Sequence, residues 1–399
     1  MWIIFKLIIF GIPLLSVAWW IWANRRLKGL NVPRGWRWLL GLTVLTLLAG
    51  FSWILLARES SVSVPIPPAL YALVLLWGMI FLPMLALPMM TGWAFWSIAS
   101  NLRKLRHQRP AELPPSDHPP ASKTMTRRQL LGSAAVVLPV FATFGATGIC
   151  LPETQRFRIR NLTVFLKDLP PALDGMRIAH VTDTHVGKFT RGKMLTDIAD
   201  ATNRLKADLV LLTGDLIDNS LDDLPAALGM VKQMDPRFGL FMIEGNHDLF
   251  DDPVKFLSGV NQSGIPLLRN ESAIAMVRGQ RVQLLGTLWA HTDEEIARDV
   301  ETVAKLRDPA AFPILLAHHP HAFDAAVKHG LPLTLSGHTH GGQLMITSGL
   351  GVGPMMFRYW SGLYQKGAHS LVVSNGVGNW FPLRTCAPAE IVHLTLRRA

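Results

Sequence analysis

Cysteine is scarce in this sequence of 399 residues, where only Cys150 and Cys386 occur. Two cysteines cannot form the disulfide framework of a small secreted protein, and they cannot supply a cysteine-based metal site. One Cys150–Cys386 disulfide remains possible if the region that contains Cys386 lies outside the cytoplasm. Any metal site in this chain must therefore rely on carboxylate, imidazole and amide groups.

Charged residues are also few, at 17% of the chain, while hydrophobic residues make up 49%. This balance is typical of a membrane protein. Residues 1–150 contain 14 Lys or Arg and only 3 Asp or Glu, whereas residues 151–399 contain 25 of each kind. The net charge of +11 therefore arises in the first part alone. This uneven distribution argues against a nucleic-acid-binding surface on the second part.

Long apolar runs fill the first part of the chain. Each run can span the hydrocarbon core as a helix that rises about 1.5 Å per residue. Tryptophans at the ends of the runs favour transmembrane helices over buried helices of a soluble core. Pro83 and Pro88 predict a kink in the third run, which exceeds the length that a span requires. The predicted spans are 2–23, 38–57, 69–99 and 129–149.

Basic residues predict the orientation of these spans. The segments between spans one and two and between spans three and four are rich in Lys and Arg, whereas the segment between spans two and three has only Arg58, beside Glu59. The positive-inside rule places the two basic segments in the cytoplasm. Everything after Ile149 is then extracytoplasmic, which in a bacterium means the periplasmic or outer face of the inner membrane.

Residues 108–125 are rich in Pro and Ser, which predicts a cytoplasmic linker. Arg127 and Arg128 follow, directly before the fourth apolar run. A twin arginine in this position resembles a Tat export signal, and it is equally explained as two positive-inside residues. Both interpretations stay open.

The region 151–399 alternates between strand and helix patterns, which predicts an α/β domain. Helical periodicity occurs at Lys193–Leu205 and Leu224–Gln233. Short apolar runs predict strands, and no internal repeat is apparent. The predicted strands are Phe157–Leu166, Arg177–Thr182, Leu209–Thr213, Gly239–Glu244, Val282–Gly286, Ile314–Ala317, Leu333–Ser336 and Leu371–Ser374.

Five of these predicted strands end in side chains that bind metals. Loops at the carboxyl ends of strands are where α/β folds place their sites, so we expect the five ends to converge on one cleft. The groups are, in chain order, Asp183 with His185, Asp215, Asn246 with His247, His318 with His319, and His338 with His340.

The last group lies in the sequence S-G-H-T-H-G-G-Q at 336–343. On an extended backbone, His338 and His340 would point to the same side, and the glycines would let a ligand approach closely. Alone, such a pair is more typical of a polar loop. Because four other groups of this kind occur in the chain, we interpret His338 and His340 as metal ligands, with one metal for each histidine.

The combination of carboxylate, imidazole and amide suits Mn, Fe, Zn or a mixed pair of divalent ions. Asp215 could bridge two such metals, and a bridging water would be activated as hydroxide for in-line attack on a phosphorus ester. His247 could protonate the leaving oxygen.

The ordered motifs D-x-H, G-D, G-N-H-D, H-x-P and G-H-T-H resemble those of the calcineurin-like metallophosphoesterases, and the resemblance extends over about 155–399. The extended G-H-T-H-G-G-Q, the later Ser374-Asn375-Gly376, Pro382 and Arg384 are similar to the YkuE-type branch of membrane-associated bacterial members. The resemblance implies a fold of two sheets packed as a β-sandwich and flanked by helices.

The resemblance also implies a role for each motif residue. Asp215 would bridge the two metals, and His247 matches the catalytic histidine of the family. The family's spacing favours His318 over His319 as a ligand. One metal would take Asp183, His185 and His340, and the other would take Asn246, His318 and His338.

Other polar residues fit this pattern less well. His180 is expected in the core or behind the ligands, and His321, His329, His369 and His393 at the surface. Asp248 could orient His247 or cap a helix. Arg384 could contact a phosphate or form a salt bridge. Solvated loop acids are expected at Asp218, Asp222, Asp223, Asp251 and Asp252.

Together these patterns predict a membrane-anchored phosphoesterase that hydrolyses phosphomonoester, phosphodiester or pyrophosphate bonds. Its substrate would be a lipid-linked or cell-envelope phosphate. It would contact the lipid bilayer and would not bind nucleic acid. The alternative is a metal-binding envelope sensor or scaffold without turnover. Transport is disfavoured because the first three spans contain no carboxylate or histidine.

Overall fold

The structure is a computed structural model that describes residues 2–59, 67–106 and 126–399. The chain forms two compact units, Met1–Ile149 and Cys150–Ala399. The predicted linker at 108–125 lies outside the described residues.

The first unit is helical. A helix lies at each of the four predicted spans. Among the described residues, three segments are long and apolar enough to cross a membrane, namely Arg34–Leu56, Pro68–Arg103 and Arg127–Glu153. A fourth span at the first helix stays a prediction. The helices are α1 (Trp2–Gly29), α2 (Arg34–Glu59), α3 (Pro68–Leu75), α4 (Leu87–Arg106) and α5 (Arg127–Glu153), with a π-helical segment at Leu76–Ala86 between α3 and α4.

This π-helical segment interrupts the regular helix of the third span, and it contains Pro83. Proline lacks the N–H that a regular helical turn needs, and wider turns are one way in which a helix accommodates such a gap. Pro88 is the second residue of α4, which continues directly from the π-helical segment.

Apolar side chains hold the helices of the first unit together. The rings of Trp19 and Trp77 meet edge to face with centroids 5.0 Å apart. The indole N–H of Trp77 donates to Ser16 Oγ at 2.9 Å, which satisfies a buried polar group. Large apolar side chains also point outward, as expected of helices that face lipid. Examples are Leu14, Trp36, Leu42, Phe95 and Phe141.

The second unit begins in the last turn of α5 and contains, after this helix, thirteen strands and six helices longer than a single 3-10 turn. The strands are β1 (Arg158–Leu166), β2 (Arg177–Val181), β3 (Leu209–Thr213), β4 (Leu240–Ile243), β5 (Glu271–Val277), β6 (Gln280–Gly286), β7 (Phe312–Leu316), β8 (Leu333–Ser336), β9 (Met345–Thr347), β10 (Leu350–Gly351), β11 (Gly362–Lys366), β12 (His369–Val373) and β13 (Glu390–Arg398). The helices are α6 (Lys193–Arg204), α7 (Leu224–Lys232), α8 (Pro253–Ser263), α9 (Asp293–Ala304), α10 (Ala322–Lys328) and α11 (Val352–Met356).

The strands form two large sheets and one small hairpin. The first sheet has the order β1-β13-β2-β3-β4, and the second has the order β11-β12-β8-β7-β6-β5. Strands β2, β3 and β4 run parallel to one another, as do β12, β8, β7 and β6. Strands β9 and β10 pair with each other only. Parallel neighbours end at the same edge of their sheet, which brings the loops after them together.

The two large sheets pack face to face. Ile178 and Leu211 of the first sheet share a buried core with Leu284, Ile314 and Leu335 of the second. The outer face of the first sheet is covered by α6, α7 and α8, and the outer face of the second by α9 and α10. The prediction of a two-sheet sandwich flanked by helices is confirmed.

The two cysteines do not form a disulfide. Cys150 is buried and Cys386 is exposed, and both thiols are free. The bridge that the sequence left open is therefore absent from this structure.

Candidate metal centre

The five predicted groups follow five strands that end at neighbouring positions of the two sheets. Asp183 and His185 follow β2, Asp215 follows β3, and Asn246 follows β4. In the second sheet His318 follows β7, and the G-H-T-H segment follows β8. The side chains meet in three overlapping groups whose ligand atoms lie within 4.8 Å of one another. These groups are Asp183–His185–His340, His185–Asp215–His247 and Asp215–His318–His338.

The backbone at these positions is left-handed, which the sequence did not lead us to expect. The extended conformation predicted between His338 and His340 is wrong, since their φ angles are 71° and 50°. Asp183, His185 and Asp215 also have positive φ, at 50°, 42° and 54°. A non-glycine residue in this region costs of order 1–3 kcal/mol, and it persists only where its surroundings enforce it. Five such residues at one site indicate that the fold enforces the ligand geometry.

Two glycines allow the loops to approach one another this closely. A Cβ at Gly245 would collide with the Asp215 carboxylate, and a Cβ at Gly337 would collide with Asp183 and Thr182. The carboxylate of Asp183 in turn accepts from the backbone N–H of His338, at 3.0 Å and 3.1 Å. The glycines of the G-N-H-D and G-H-T-H motifs are thus required by packing against the ligands.

The first ligand group consists of Asp183, His185 and His340, all of them buried. His340 Nε2 is 2.9 Å from His185 Nε2 and 3.3 Å from Asp183 Oδ1. Two imidazole nitrogens and a carboxylate oxygen therefore face a common point. This is a set of donors that a divalent transition metal takes.

The second ligand group contains His318, His338 and Asn246. His338 Nδ1 lies 3.0 Å from Asn246 Oδ1. His318 Nδ1 lies 2.7 Å from the carbonyl oxygen of Thr213, so this nitrogen carries the hydrogen and donates it. His318 Nε2 is buried and faces the Asp215 carboxylate. Burial lowers the pKa of His318, but the charge of Asp215 and a hydrogen bond to its carboxylate outweigh burial and raise the pKa to about 9. A cation bound at this point would replace the proton on Nε2.

Asp215 lies between the two groups. Its Oδ2 is 3.5 Å from His185 Nε2 and 3.1 Å from His318 Nε2. Its Oδ1 accepts from the backbone N–H of His247 at 2.9 Å, which fixes the orientation of the carboxylate. One carboxylate therefore faces both sets of imidazoles.

The pKa values of His340 and His338 are lowered, in contrast to that of His318. Burial lowers the pKa of His340 to about 4, and burial together with the neighbouring His318 lowers the pKa of His338 well below its ordinary value. Neutral imidazole is the form that ligates metals. Burial alone would raise the pKa values of Asp183 and Asp215, but the neighbouring histidines lower both, so the two carboxylates are ionised.

His247 is held by Asp218, a residue that was expected in solvent. Asp218 is buried instead, and His247 Nδ1 is 2.6 Å from its carbonyl oxygen and 3.3 Å from its Oδ1. A carbonyl only accepts, so Nδ1 carries the hydrogen and Nε2 is available for proton transfer. Burial lowers the pKa of His247, but its hydrogen bond to Asp218 and the charge of Asp215 outweigh burial and raise the pKa overall.

Asp248 has neither of the two roles that the sequence suggested. Its buried carboxylate accepts from three backbone N–H groups, at Leu216 (2.8 Å), Ile217 (3.0 Å) and Gly245 (2.9 Å). These amides belong to the loops after β3 and β4. Asp248 therefore ties together the loops that carry Asp215 and Asn246.

Arg384 is buried behind His340, so it is neither a phosphate contact nor one half of a salt bridge. Its Nη2 is 2.9 Å from His340 Nδ1, on the opposite side of the ring from the Nε2 that faces Asp183 and His185. The remaining guanidinium hydrogens are donated to Asn379 Oδ1 and to the carbonyl oxygens of Asn375, Gly378 and Ala387. Arg384 thus holds one ligand in its orientation.

The remaining histidines lie outside the three groups. His319 contacts the rings of Trp289, His321 and His338. Burial, with the charges of His321 and His318, lowers the pKa of His319 to about 3. His180 is buried inside β2, with Nε2 2.8 Å from Thr213 Oγ1.

Aromatic side chains flank the site on two sides. The ring centroids of Trp289 and Phe357 are 4.9 Å and 5.8 Å from that of His338. On the other side, Phe250 and Trp380 lie 4.5 Å and 6.0 Å from His247. Sequence patterns do not predict these residues, since an isolated aromatic residue in a loop carries no metal-site pattern.

The motifs agree with the comparison to known families. Residues 176–342 match the model of the calcineurin-like phosphoesterases, and this range includes all seven predicted ligands. Residues 176–342 are therefore a calcineurin-like phosphoesterase domain. The resemblance stated from the motifs is thereby confirmed.

Relatives that align with about two thirds of this chain point to the same family. The chain is 30% identical to a transmembrane protein with a metallophosphoesterase domain from Danio rerio, over 67% of this chain and 62% of that protein. It is 28% identical to the metallophosphoesterase YkuE of Bacillus subtilis and 28% identical to the phosphodiesterase YaeI of Escherichia coli. These two alignments cover 69% and 68% of this chain and 99% of each relative. The chain spans less than two thirds of the Danio rerio protein and of a Helicobacter pylori metallophosphoesterase.

Proposed function

We propose that the unit Cys150–Ala399 is a metal-dependent phosphoesterase that uses two divalent cations, Mn, Fe, Zn or a mixed pair. The observation that carries the proposal is the position of Asp215, whose Oδ2 is 3.5 Å from His185 Nε2 and 3.1 Å from His318 Nε2. A carboxylate oxygen between two sets of imidazoles suits a ligand that two cations share. Membership of the phosphoesterase family supports ester hydrolysis as the reaction.

In this proposal the two ligand groups divide as the motifs suggest. Asp183, His185 and His340 hold one cation, and Asn246, His318 and His338 hold the other, with Asp215 shared. Two bound cations would supply Lewis-acid stabilisation of the charge on the phosphoryl oxygens and would make water a stronger acid.

His247 is the proposed general acid. Since its Nδ1–H is donated to Asp218, its Nε2 is the atom that can give a proton to the leaving oxygen. The raised pKa of His247 supports this role, because the protonated ring is then more abundant near neutral pH.

The surroundings of the site support a phosphate ester with an apolar group as the substrate. Trp289 and Phe357 form one wall beside His338, and Phe250 and Trp380 form another beside His247. A lipid-linked or cell-envelope phosphate would place its apolar part against such walls. The bilayer that the helices of the first unit suit would supply that substrate.

The proposed location is the inner membrane of a bacterium, with the catalytic unit on the periplasmic or extracytoplasmic side. The segment before the second span and the segment after the third span are basic, which supports this orientation through the positive-inside rule. The helices of this chain that are long and apolar enough to cross a membrane, and its similarity to a transmembrane protein, support a location in the membrane.

The experiment that tests the function uses the full chain, purified in detergent with Mn²⁺. We expect hydrolysis of an aryl phosphate monoester or diester, and we expect Asp215→Asn to abolish both hydrolysis and most Mn²⁺ binding. The matched control is Asp222→Asn, at an exposed carboxylate on a nearby 3-10 turn. Hydrolysis that survives Asp215→Asn would contradict the shared-ligand assignment.

The same experiment separates the alternative, a metal-binding sensor or scaffold. Such a protein would bind Mn²⁺ through Asp215 and yet hydrolyse neither ester. Lipid phosphates presented in mixed micelles extend the test to the substrate class.

A further inference from the structure

A short apolar loop directly follows the last metal ligands. We define it as Met345–Phe357, which contains β9, β10 and α11. Its large apolar side chains point into solvent, with exposed fractions of 74% at Ile346, 57% at Leu350, 83% at Met355 and 67% at Met356. Scattered exposed apolar residues are ordinary, but four within eleven residues form a surface that needs an explanation.

The apolar loop is held firmly at its base. Met345 is buried, and its backbone N–H donates to the carbonyl oxygen of Thr385 at 3.0 Å. The backbone N–H of Val352 donates to the carbonyl oxygen of Leu344 at 3.1 Å. The fold therefore presents the apolar side chains on an ordered support.

The apolar loop also borders the candidate metal centre. Only the residues 341–344 separate it from His340. At its other end, the Phe357 ring is 5.8 Å from that of His338 and 6.2 Å from that of His319. Whatever covers the loop must therefore lie beside the cleft.

The charge around the apolar loop is unusual for this unit. No Asp or Glu occurs between Asp324 and Glu390, although residues 151–399 contain 25 acidic residues in total. Arg358, at the end of the loop, pairs with Asp293 at 2.9 Å and with Asp324 at 3.2 Å. A segment without carboxylates can approach an anionic lipid surface without repulsion.

We propose that the apolar loop docks on the lipid bilayer, with Ile346, Leu350, Met355 and Met356 at the level of the headgroups. The chain itself supplies the reason to name a bilayer, because α5 is long and apolar enough to cross one and ends at Glu153, just before β1 begins at Arg158. Apolar side chains on an ordered element that itself contains no acidic residue are the chemistry of an interfacial membrane contact. Docking would hold the cleft against the surface where a lipid-linked substrate lies.

A second copy of the chain fits this surface less well. A stable protein interface buries roughly 800 Å² per partner and involves about 20–30 residues a side. The four exposed side chains of the apolar loop are far fewer. An interfacial membrane contact needs no such area, since each side chain enters the headgroup region separately.

The test measures lipid contact directly in the full chain. In a Cys150→Ser, Cys386→Ser background, Met355→Cys and, separately, Ile346→Cys are labelled with an environment-sensitive fluorophore. Each protein is reconstituted into vesicles of equal parts phosphatidylcholine and phosphatidylglycerol, with or without a nitroxide on the acyl chains. The control is Thr302→Cys, at an exposed position of α9. Unchanged thermal unfolding midpoints verify that the labelled proteins are folded.

We expect the nitroxide lipids to quench the labels at 355 and 346 at least about twofold more than the label at 302. Equal quenching at all three positions would overturn the proposal. So would labels at 355 and 346 that are shielded from aqueous iodide but not quenched by nitroxide lipid, since this would identify a protein partner. The readout requires no hydrolysis, so an inactive chain with quenched labels would refute the proposed function and leave the docking intact.

Discussion

His247 illustrates how one residue could serve either as a ligand or as an acid. It forms a possible metal group with His185 and Asp215, yet its Nδ1 is bound to the carbonyl of Asp218. That hydrogen bond leaves only Nε2 for chemistry. The geometry and the family motif both favour the acid.

We therefore predict that His247→Gln lowers turnover by about 10²–10⁴-fold, as expected for loss of a general acid. Metal content, measured by elemental analysis of the purified protein, should stay unchanged. His329→Gln, at an exposed histidine, is the control. If metal content falls together with turnover, His247 is a ligand and the acid must be sought elsewhere.

Arg384 acts through another residue. Its guanidinium contacts His340 Nδ1 and three carbonyl oxygens, and it is fully surrounded by protein. Groups that orient a metal ligand from behind commonly contribute 10–100-fold to metal affinity.

Arg384→Lys should accordingly weaken Mn²⁺ binding by about 10–100-fold in isothermal titration calorimetry, because a single ammonium cannot replace the planar set of donors. Arg358→Lys, at an exposed guanidinium, should leave affinity unchanged. A lower unfolding temperature with unchanged affinity would reduce Arg384 to a purely structural role.

At the scale of elements, the loops after β3 and β4 form one assembly. Asp248 joins them through three buried N–H groups, and the loop after β2 runs beside the loop after β3. The backbone N–H of Val186 donates to the carbonyl oxygen of Leu216 at 2.9 Å, and that of Asp218 donates back to Val186 at 3.0 Å. The ligands are therefore positioned by contacts between loops rather than by each loop alone.

Asp248→Ala should lower the free energy of unfolding by about 3 kcal/mol, because three buried donors lose their acceptor and such losses are not fully additive. Thermal and urea unfolding of the detergent-solubilised chain would measure this. Asp251→Ala removes an exposed acceptor of one N–H group and should change stability by less than about 0.5 kcal/mol. Equal losses in the two variants would contradict the assigned role.

These loop contacts also explain what the sequence could predict. Buried parallel strands appear as uninterrupted apolar runs that end in polar residues, so β3 was predicted at its observed bounds and all five strand ends were found. Asp218 was missed because its burial depends on the loop after β2 lying alongside. Its position three residues after Asp215 is the only local signal.

The backbone of the ligands was equally beyond prediction. Glycine marks left-handed positions in a sequence, but here Asp183, His185, Asp215, His338 and His340 take that conformation themselves. Surrounding hydrogen bonds enforce it, such as the one from the N–H of His338 to Asp183. Arg384 was misjudged for a similar reason, since its carbonyl partners come from separate turns that only the fold assembles.

At the scale of the whole molecule, the orientation in the membrane decides which compartment the site serves. The positive-inside rule predicts an extracytoplasmic second unit. A reporter that is active only outside the cytoplasm, fused after Ala399, should therefore be active in bacterial cells, and a reporter that needs the cytoplasm should be silent. The reverse result would place the site on the cytoplasmic face. Fusions after Glu59 would then show whether the orientation of the segment between spans two and three is also wrong.

The brevity of the connection between α5 and β1 has a kinetic consequence. Residues 154–157 can span at most about 14 Å. A catalytic unit on so short a tether cannot diffuse into the bulk solution, so it would encounter a lipid-linked substrate by lateral diffusion in two dimensions. Its rate on such a substrate should then follow the mole fraction of that lipid in the membrane and fall when inert lipid is added at constant total substrate. A water-soluble ester would show no such surface dilution.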